Sequence, residues 1–99
     1  MKKTKEKFKY VKVKNVAEAV AYLTNHVSKE FLKDVKNSKN VIEFHHGFGT
    51  WIRNTFGFWD DSADSELKSE FIKRGVTHPD SMSTIILSAL QKKLKEEND

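Results

Sequence analysis

The residues best suited to chemistry are concentrated in one short stretch of the chain, residues 45–59. This stretch holds both tryptophans, three of the four glycines, two of the four histidines and one of the two arginines. An arginine offers a planar cation that can hold a carboxylate or a phosphate through two parallel hydrogen bonds. Arg53 is therefore a candidate anion-binding group, with His46 or the more distant His78 as a candidate acid or base.

A helix over residues 41–56 would divide this stretch into two faces. At about 100° per residue, one face collects the apolar side chains expected to face a core, namely Val41, Phe44, Phe48, Trp51, Ile52 and Thr55. His46 and Arg53 fall together on the opposite side. Gly49 and Thr50 lie between them, which predicts a shallow notch where a partner chain, a carboxylate or a phosphate could dock. Alternatively, the helix breaks at His46-Gly47 and restarts with Thr50 as its cap, and the facial argument then fails.

We expect no metal site and no cofactor. The chain has no cysteine, and the adjacent His45 and His46 would point about 100° apart on a helix, which is too far to share one ion. Asp60, Asp61 and Asp64 lack the spacing of a calcium loop. The sequence also lacks a glycine-rich dinucleotide fingerprint, a phosphate-binding loop and a serine on a nucleophile elbow. Catalytic residues therefore stay unassigned, and a binding protein is favoured over an enzyme.

The positive charge of the chain belongs to its N-terminus. Residues 1–14 hold seven lysines against one glutamate, a net charge of +6, whereas residues 15–99 hold 11 basic and 13 acidic side chains, a net charge of −2. A lysine-rich arm can bind nucleic acid weakly and in a salt-dependent way, or simply remain solvated. No apolar run approaches the roughly 20 residues of a membrane span, and no signal-peptide stretch follows the basic start. These features predict a cytoplasmic protein without membrane contact.

Start and stop signals indicate helices through most of the chain. We expect N-caps at Asn15, Ser28, Ser65 and Thr77, the last with Pro79 in the first turn, and turns at Gly57 and Gly75. Apolar residues alternate with lysines before residue 14, but no second strand-like run is present to pair with them, which favours an extended arm. The sequence therefore predicts an all-α protein, with a basic N-terminal arm (residues 1–14) and a single domain of four to five helices (residues 15–99).

Three motif blocks resemble a family of small bacterial domains of unknown function. The blocks are His46-x-x-Gly49-x-Trp51-Ile52-Arg53-Asn54, Gly57-Phe58-Trp59 and His78-Pro79-Asp80-x-Met82-Ser83-x-Ile85-Ile86. The chain departs from the family pattern at Phe58, where leucine is usual, and at Ser81, where a second aspartate often stands. The resemblance covers about residues 41–94 and implies no activity. It does imply that the blocks belong to one unit, so that Arg53 lies near Asp80 or His78.

The leading functional prediction is a non-catalytic helical module that binds another protein. Its surface would comprise His46, Gly49, Thr50, Arg53, Asn54, Trp59, His78 and Asp80. One alternative is a small anion-binding or hydrolytic site built on Arg53 with His46 or His78. A second alternative is weak nucleic-acid binding through residues 1–14. The pattern indicates neither a particular partner nor an oligomeric state.

Overall fold

Four short helices precede one long C-terminal helix. The computed structural model describes residues 10–63 and 65–97. The helices are α1 (Val16–His26), α2 (Lys29–Asn37), α3 (Phe48–Phe56), α4 (Glu66–Lys73) and α5 (Pro79–Glu97), with a short 3-10 helix at Val41–Phe44. Because the described residues contain these five helices and no strand, the predicted all-α fold is confirmed.

Side-chain caps begin the first, second and fourth helices where the sequence predicts them. The Oδ1 of Asn15 accepts a hydrogen bond from the backbone N–H of Glu18 at 2.9 Å. The Glu18 carboxylate accepts in return from the N–H of Lys14 at 2.8 Å, one residue before the usual capping-box donor. Ser28 and Ser65 cap α2 and α4 through their hydroxyl oxygens. These helix starts are therefore encoded by local hydrogen bonds.

The last helix starts differently from the prediction. Pro79 occupies the first helical position, so His78, and not Thr77, is the cap. The carbonyl of His78 accepts from the N–H of Met82 at 3.2 Å. Its ring Nδ1 accepts from the N–H of Asp80 at 3.1 Å, which replaces the expected threonine hydroxyl.

The core lies along one side of α5, against α1, α2 and α3. The buried side chains of α5 are Met82, Ser83, Ile86, Leu87, Leu90 and Leu94. Leu23, Val35 and Ile52 face them from the three neighbouring helices. Ile85, on the same helix, is 39% exposed and lies outside this buried set.

The single helix predicted over residues 41–56 is wrong. A 3-10 helix over Val41–Phe44 is followed by a turn at residues 45–47, and α3 begins at Phe48. Two glycines within three residues weaken a helix by about 1 kcal/mol each, and the chain breaks there. The alternative prediction, a helix break at His46-Gly47, therefore agrees better with the structure. However, α3 begins at Phe48, two residues before the predicted cap at Thr50. The buried face of α3 carries Gly49, Ile52, Arg53 and Phe56, whereas Trp51, which was predicted to face the core, is exposed.

The chain reaches the helices through an extended segment that packs on α3. The N–H of Val11 donates to the carbonyl of Thr55 at 3.0 Å, and Val11 and Val13 pack against the core. Residues 1–9 of the predicted basic arm lie outside the described residues. Among the residues that the structure describes, no helix is long and apolar enough to span a membrane.

Candidate functional site

Arg53 is a buried structural arginine rather than the exposed clamp of the predicted notch. The residue is only 5% exposed. Its Nη1 donates to the hydroxyl of Ser83 at 2.8 Å, and its Nη2 donates to the hydroxyl of Thr50 at 2.9 Å and to the carbonyl of His45 at 3.3 Å. Its Nε lies 3.5 Å from Asp80 Oδ1, an ion pair without hydrogen-bond geometry. The predicted proximity of Arg53 to Asp80 is confirmed, and the predicted outward orientation of Arg53 is wrong.

Gly49 makes room for this guanidinium. An added Cβ would lie 3.1 Å from Arg53 Nη1 and 3.3 Å from the carbonyl oxygen of Phe44. Gly49 is itself buried, so it does not form the floor of an exposed notch. The unfavourable helix propensity of this glycine is therefore offset by the close approach of the arginine.

The carboxylate of Asp80 lies within 4 Å of three basic side chains. Besides Arg53, its Oδ2 lies 3.7 Å from His45 Nε2 and 3.9 Å from His78 Nδ1. The Asp80 side chain is 43% exposed, so the cluster reaches the surface. His45 was missed as a site residue, because the sequence indicated no functional role for it beyond a metal site shared with His46, which was excluded. Only the turn at residues 45–47 brings it to Asp80.

His46 and Thr50 lie at the outer edge of this cluster. His46 is exposed, and its ring packs edge-on against that of His45 at a centroid distance of 5.1 Å. The hydroxyl of Thr50 donates to the carbonyl of His46 and accepts from Arg53. Of the predicted site residues, Gly49, Thr50 and Arg53 therefore serve the internal network.

Four residues of the predicted set form what we call the Trp59 surface, namely the exposed Asn54, Trp59 and His78 and the partly exposed Asp80. The indole of Trp59 is 56% exposed and meets the ring of His78 edge-on at 5.9 Å. Asn54 and Trp59 also line an open groove of about 460 Å³, together with Tyr10, Arg53, Gly57, Asp60 and Asp61. These contacts join the second and third motif blocks at one surface.

A tight turn at Gly57 holds Trp59 in place. Gly57 ends α3 with a φ of 74°, and its N–H donates to the carbonyl of Arg53. The N–H of Phe58 donates to the same carbonyl at 3.0 Å. The ring of Tyr10 covers Gly57 so closely that an added Cβ would lie 2.8 Å from it. The predicted turn is confirmed, and Gly57 is required both by the positive φ and by the Tyr10 ring.

Asp60 secures the segment that follows Trp59. Its Oδ1 accepts from the N–H and the hydroxyl of Ser62 at 2.9 and 2.6 Å, and its Oδ2 accepts from the Tyr10 hydroxyl at 2.8 Å. The Ser62 hydroxyl and then the Tyr10 hydroxyl lower the pKa of Asp60 below its ordinary value. The same hydrogen bond to Asp60 raises the pKa of the Tyr10 phenol. Asp60 thus connects the extended N-terminal segment to the groove.

A metal centre has no support in the described part of the chain. No group of three or more histidine and carboxylate side chains there is arranged to hold an ion. Asp80 does meet His45 and His78, but Arg53 shares the same carboxylate. The positive guanidinium occupies the position next to Asp80 and would repel a metal cation.

Comparison with curated proteins and with solved structures finds no significant match to this chain. One family model does match, and it covers residues 14–94, which include the whole Asp80 cluster and most of the Trp59 groove. The family is described as a domain of unknown function (DUF6794), and because the match spans most of the sequence, the chain belongs to that family.

Proposed function

We propose that the chain is a non-catalytic protein-interaction module that binds another protein through the Trp59 surface. The exposure of Trp59 carries the proposal. Its indole is 56% exposed, although the preceding Phe58 is 1% exposed. Tryptophan is among the residues most enriched at binding hot spots, since its burial removes a large apolar area from water.

The rigid support of Trp59 favours binding over a purely structural role. Gly57, held under the Tyr10 ring, and Asp60, held by three hydrogen bonds, flank the tryptophan in sequence. Beneath this turn, Arg53 ties α3 to α5. A side chain presented on a fixed backbone loses less conformational freedom when a partner covers it.

Anion binding or hydrolysis centred on Arg53 has less support. The guanidinium is almost fully buried, and it donates to Ser83, Thr50 and the carbonyl of His45. An external carboxylate or phosphate would have to displace these partners and compete with Asp80. Weak nucleic-acid binding through residues 1–14 stays a prediction, because residues 1–9 lie outside the described structure.

Site-specific photo-crosslinking in the source cells tests the proposal. A photoreactive benzophenone amino acid is placed at Trp59 and, in a matched control, at Trp51, the other exposed tryptophan. We expect position 59 to give one discrete protein adduct that position 51 does not give. With that partner purified, Trp59→Ala should weaken binding by about 30-fold or more, and Trp51→Ala should leave it within about threefold.

The same variants separate binding from folding. Because Trp59 is more than half exposed, Trp59→Ala should leave the midpoint of thermal unfolding nearly unchanged. The absence of a discrete adduct at position 59, or equal adducts at both positions, would contradict an interaction through the Trp59 surface.

A further inference from the structure

Two ion pairs flank Trp59, and in each pair the cation is the buried member. Asp61 lies 3.6 Å from Lys68 Nζ, with side-chain exposures of 106% for the aspartate and 14% for the lysine. Asp80 lies 3.5 Å from Arg53 Nε, with exposures of 43% and 7%. The positive charges are held beneath the surface and the carboxylates face solvent. The solvent-facing charge of both pairs is therefore negative.

The groove beside Trp59 adds a third carboxylate and a second aromatic ring. Asp60 and Tyr10 line this groove together with Trp59 and Asp61. The hydrogen bonds that Asp60 accepts from Ser62 and Tyr10 favour its ionised form. The ammonium group of Lys68 donates a hydrogen bond to the carbonyl of Asp60 at 3.2 Å, so this loop already binds one cation of the chain itself.

We propose, on the basis of the function proposed above, that the partner presents a lysine or arginine side chain to the Trp59 surface. The cation would lie on the face of the indole, next to the carboxylates of Asp60 and Asp61. Tryptophan is the best aromatic partner for a cation, and nearby carboxylates add a Coulomb attraction. An acidic segment would be repelled here, and a purely apolar segment would remove the carboxylates from water without compensation.

A fluorescence titration of the full chain tests this assignment. A Trp51→Phe background leaves Trp59 as the only tryptophan. The probes are three blocked ten-residue peptides in which serine alternates with lysine, glutamine or glutamate. We expect saturable binding of the lysine peptide alone, weakened by raising the salt concentration.

Matched carboxylate variants locate the contact. Asp61→Asn should weaken binding of the lysine peptide by about twofold to fivefold, as expected for one exposed charge pair. Asp34→Asn, at an exposed carboxylate on α2, should not change it. Equal binding of the lysine and glutamine peptides, or equal effects of the two variants, would overturn the proposal.

The lysines of the chain itself are a competing occupant. Residues 1–9 carry five lysines and one glutamate and immediately precede Tyr10, which lines the groove. If replacing these five lysines by glutamine strengthens peptide binding about tenfold or more, the chain's own segment is the occupant, and the assignment to a partner is overturned. A crosslinked partner that binds independently of its basic residues would refute this inference alone. Peptide binding without any crosslinked partner would refute the proposed function instead.

Discussion

The Nη1 of Arg53 donates to the hydroxyl of Ser83 at 2.8 Å, and this buried hydrogen bond joins α3 to α5 across 30 residues of sequence. The Ser83 hydroxyl in turn donates to the carbonyl of Asp80 at 3.0 Å, in the first turn of α5. The same serine thus accepts from the arginine and donates within its own helix. The most conspicuous charged residue of the motif is therefore a structural connection between two helices.

Replacement of Arg53 should destabilise the fold strongly. Arg53→Ala removes three hydrogen bonds and leaves buried acceptors without donors, at a cost of about 3 kcal/mol. For a domain of this size, the midpoint of thermal unfolding should fall by about 10 °C or more, as measured by circular dichroism. The other arginine is the control: Arg74 is 73% exposed, and Arg74→Ala should cost less than about 1 kcal/mol. Equal shifts for the two variants would contradict the structural role of Arg53.

The two glycines near the start of α3 should respond in opposite directions to alanine. Gly49→Ala places a Cβ 3.1 Å from the Arg53 guanidinium and should destabilise the fold by about 1–3 kcal/mol, despite the better helix propensity of alanine. Gly47 has no atom within 4 Å of an added Cβ, so Gly47→Ala should be neutral or stabilising by up to about 1 kcal/mol. Urea unfolding measures both differences. A stabilising Gly49→Ala would show that the guanidinium does not need this space.

The glycines with positive φ provide a second matched pair. Gly57 and Gly75 have φ values of 74° and 88°, and alanine at either position should cost about 1–2 kcal/mol for the left-handed backbone. Gly57→Ala should cost more than Gly75→Ala, because only at Gly57 would the Cβ meet the Tyr10 ring, at 2.8 Å. In a Tyr10→Ala background this additional destabilisation by Gly57→Ala should disappear. A double-mutant cycle of Gly57→Ala and Tyr10→Ala, measured by urea unfolding, gives the coupling free energy between the two positions. An excess that persists without Tyr10 would contradict the packing of the N-terminal segment over Gly57.

The hydrogen bond between Tyr10 and Asp60 should stabilise the fold over a defined pH range. The folded-state pKa of Tyr10 is raised, so its contribution is fully present below the ordinary value of 10.0 and is lost as the pH rises through the folded-state pKa. The pKa of Asp60 is lowered, so its contribution is present above the ordinary value of 3.8 and is lost as the pH falls through the folded-state pKa.

Tyr10→Phe isolates this contribution, because it removes the hydroxyl and keeps the ring over Gly57. The difference in unfolding free energy between the wild type and Tyr10→Phe should be constant between about pH 5 and 9. It should decrease towards zero above about pH 10 and below about pH 4. Chemical unfolding across this range measures the difference, and a difference that does not change at either extreme would mean that the hydrogen bond is not formed in solution.

Much of the helical architecture could be predicted because its signals are local. Asn15, Ser28 and Ser65 satisfy backbone N–H groups within three residues, so their roles are independent of the rest of the fold. Gly57 likewise supplies the left-handed residue that ends α3. The break of the helix at residues 45–47 was only an alternative, because helix propensity alone does not decide where a chain containing two glycines resumes its helix.

The sequence by itself determined the all-α class, three of the helix caps, the turn at Gly57 and the concentration of unusual residues in the motif. Only the tertiary structure decided which of those residues remain exposed. Arg53 looked solvent-facing by periodicity, but the helix packs with Gly49, Ile52, Arg53 and Phe56 towards the core, where Ser83 accepts a hydrogen bond from the guanidinium. Trp59 belongs to the predicted binding surface, and its exposure depends on the turn at Gly57, after which Phe58 is buried and the indole is exposed. Burial depends on contacts between distant segments, which spacing along one segment does not encode.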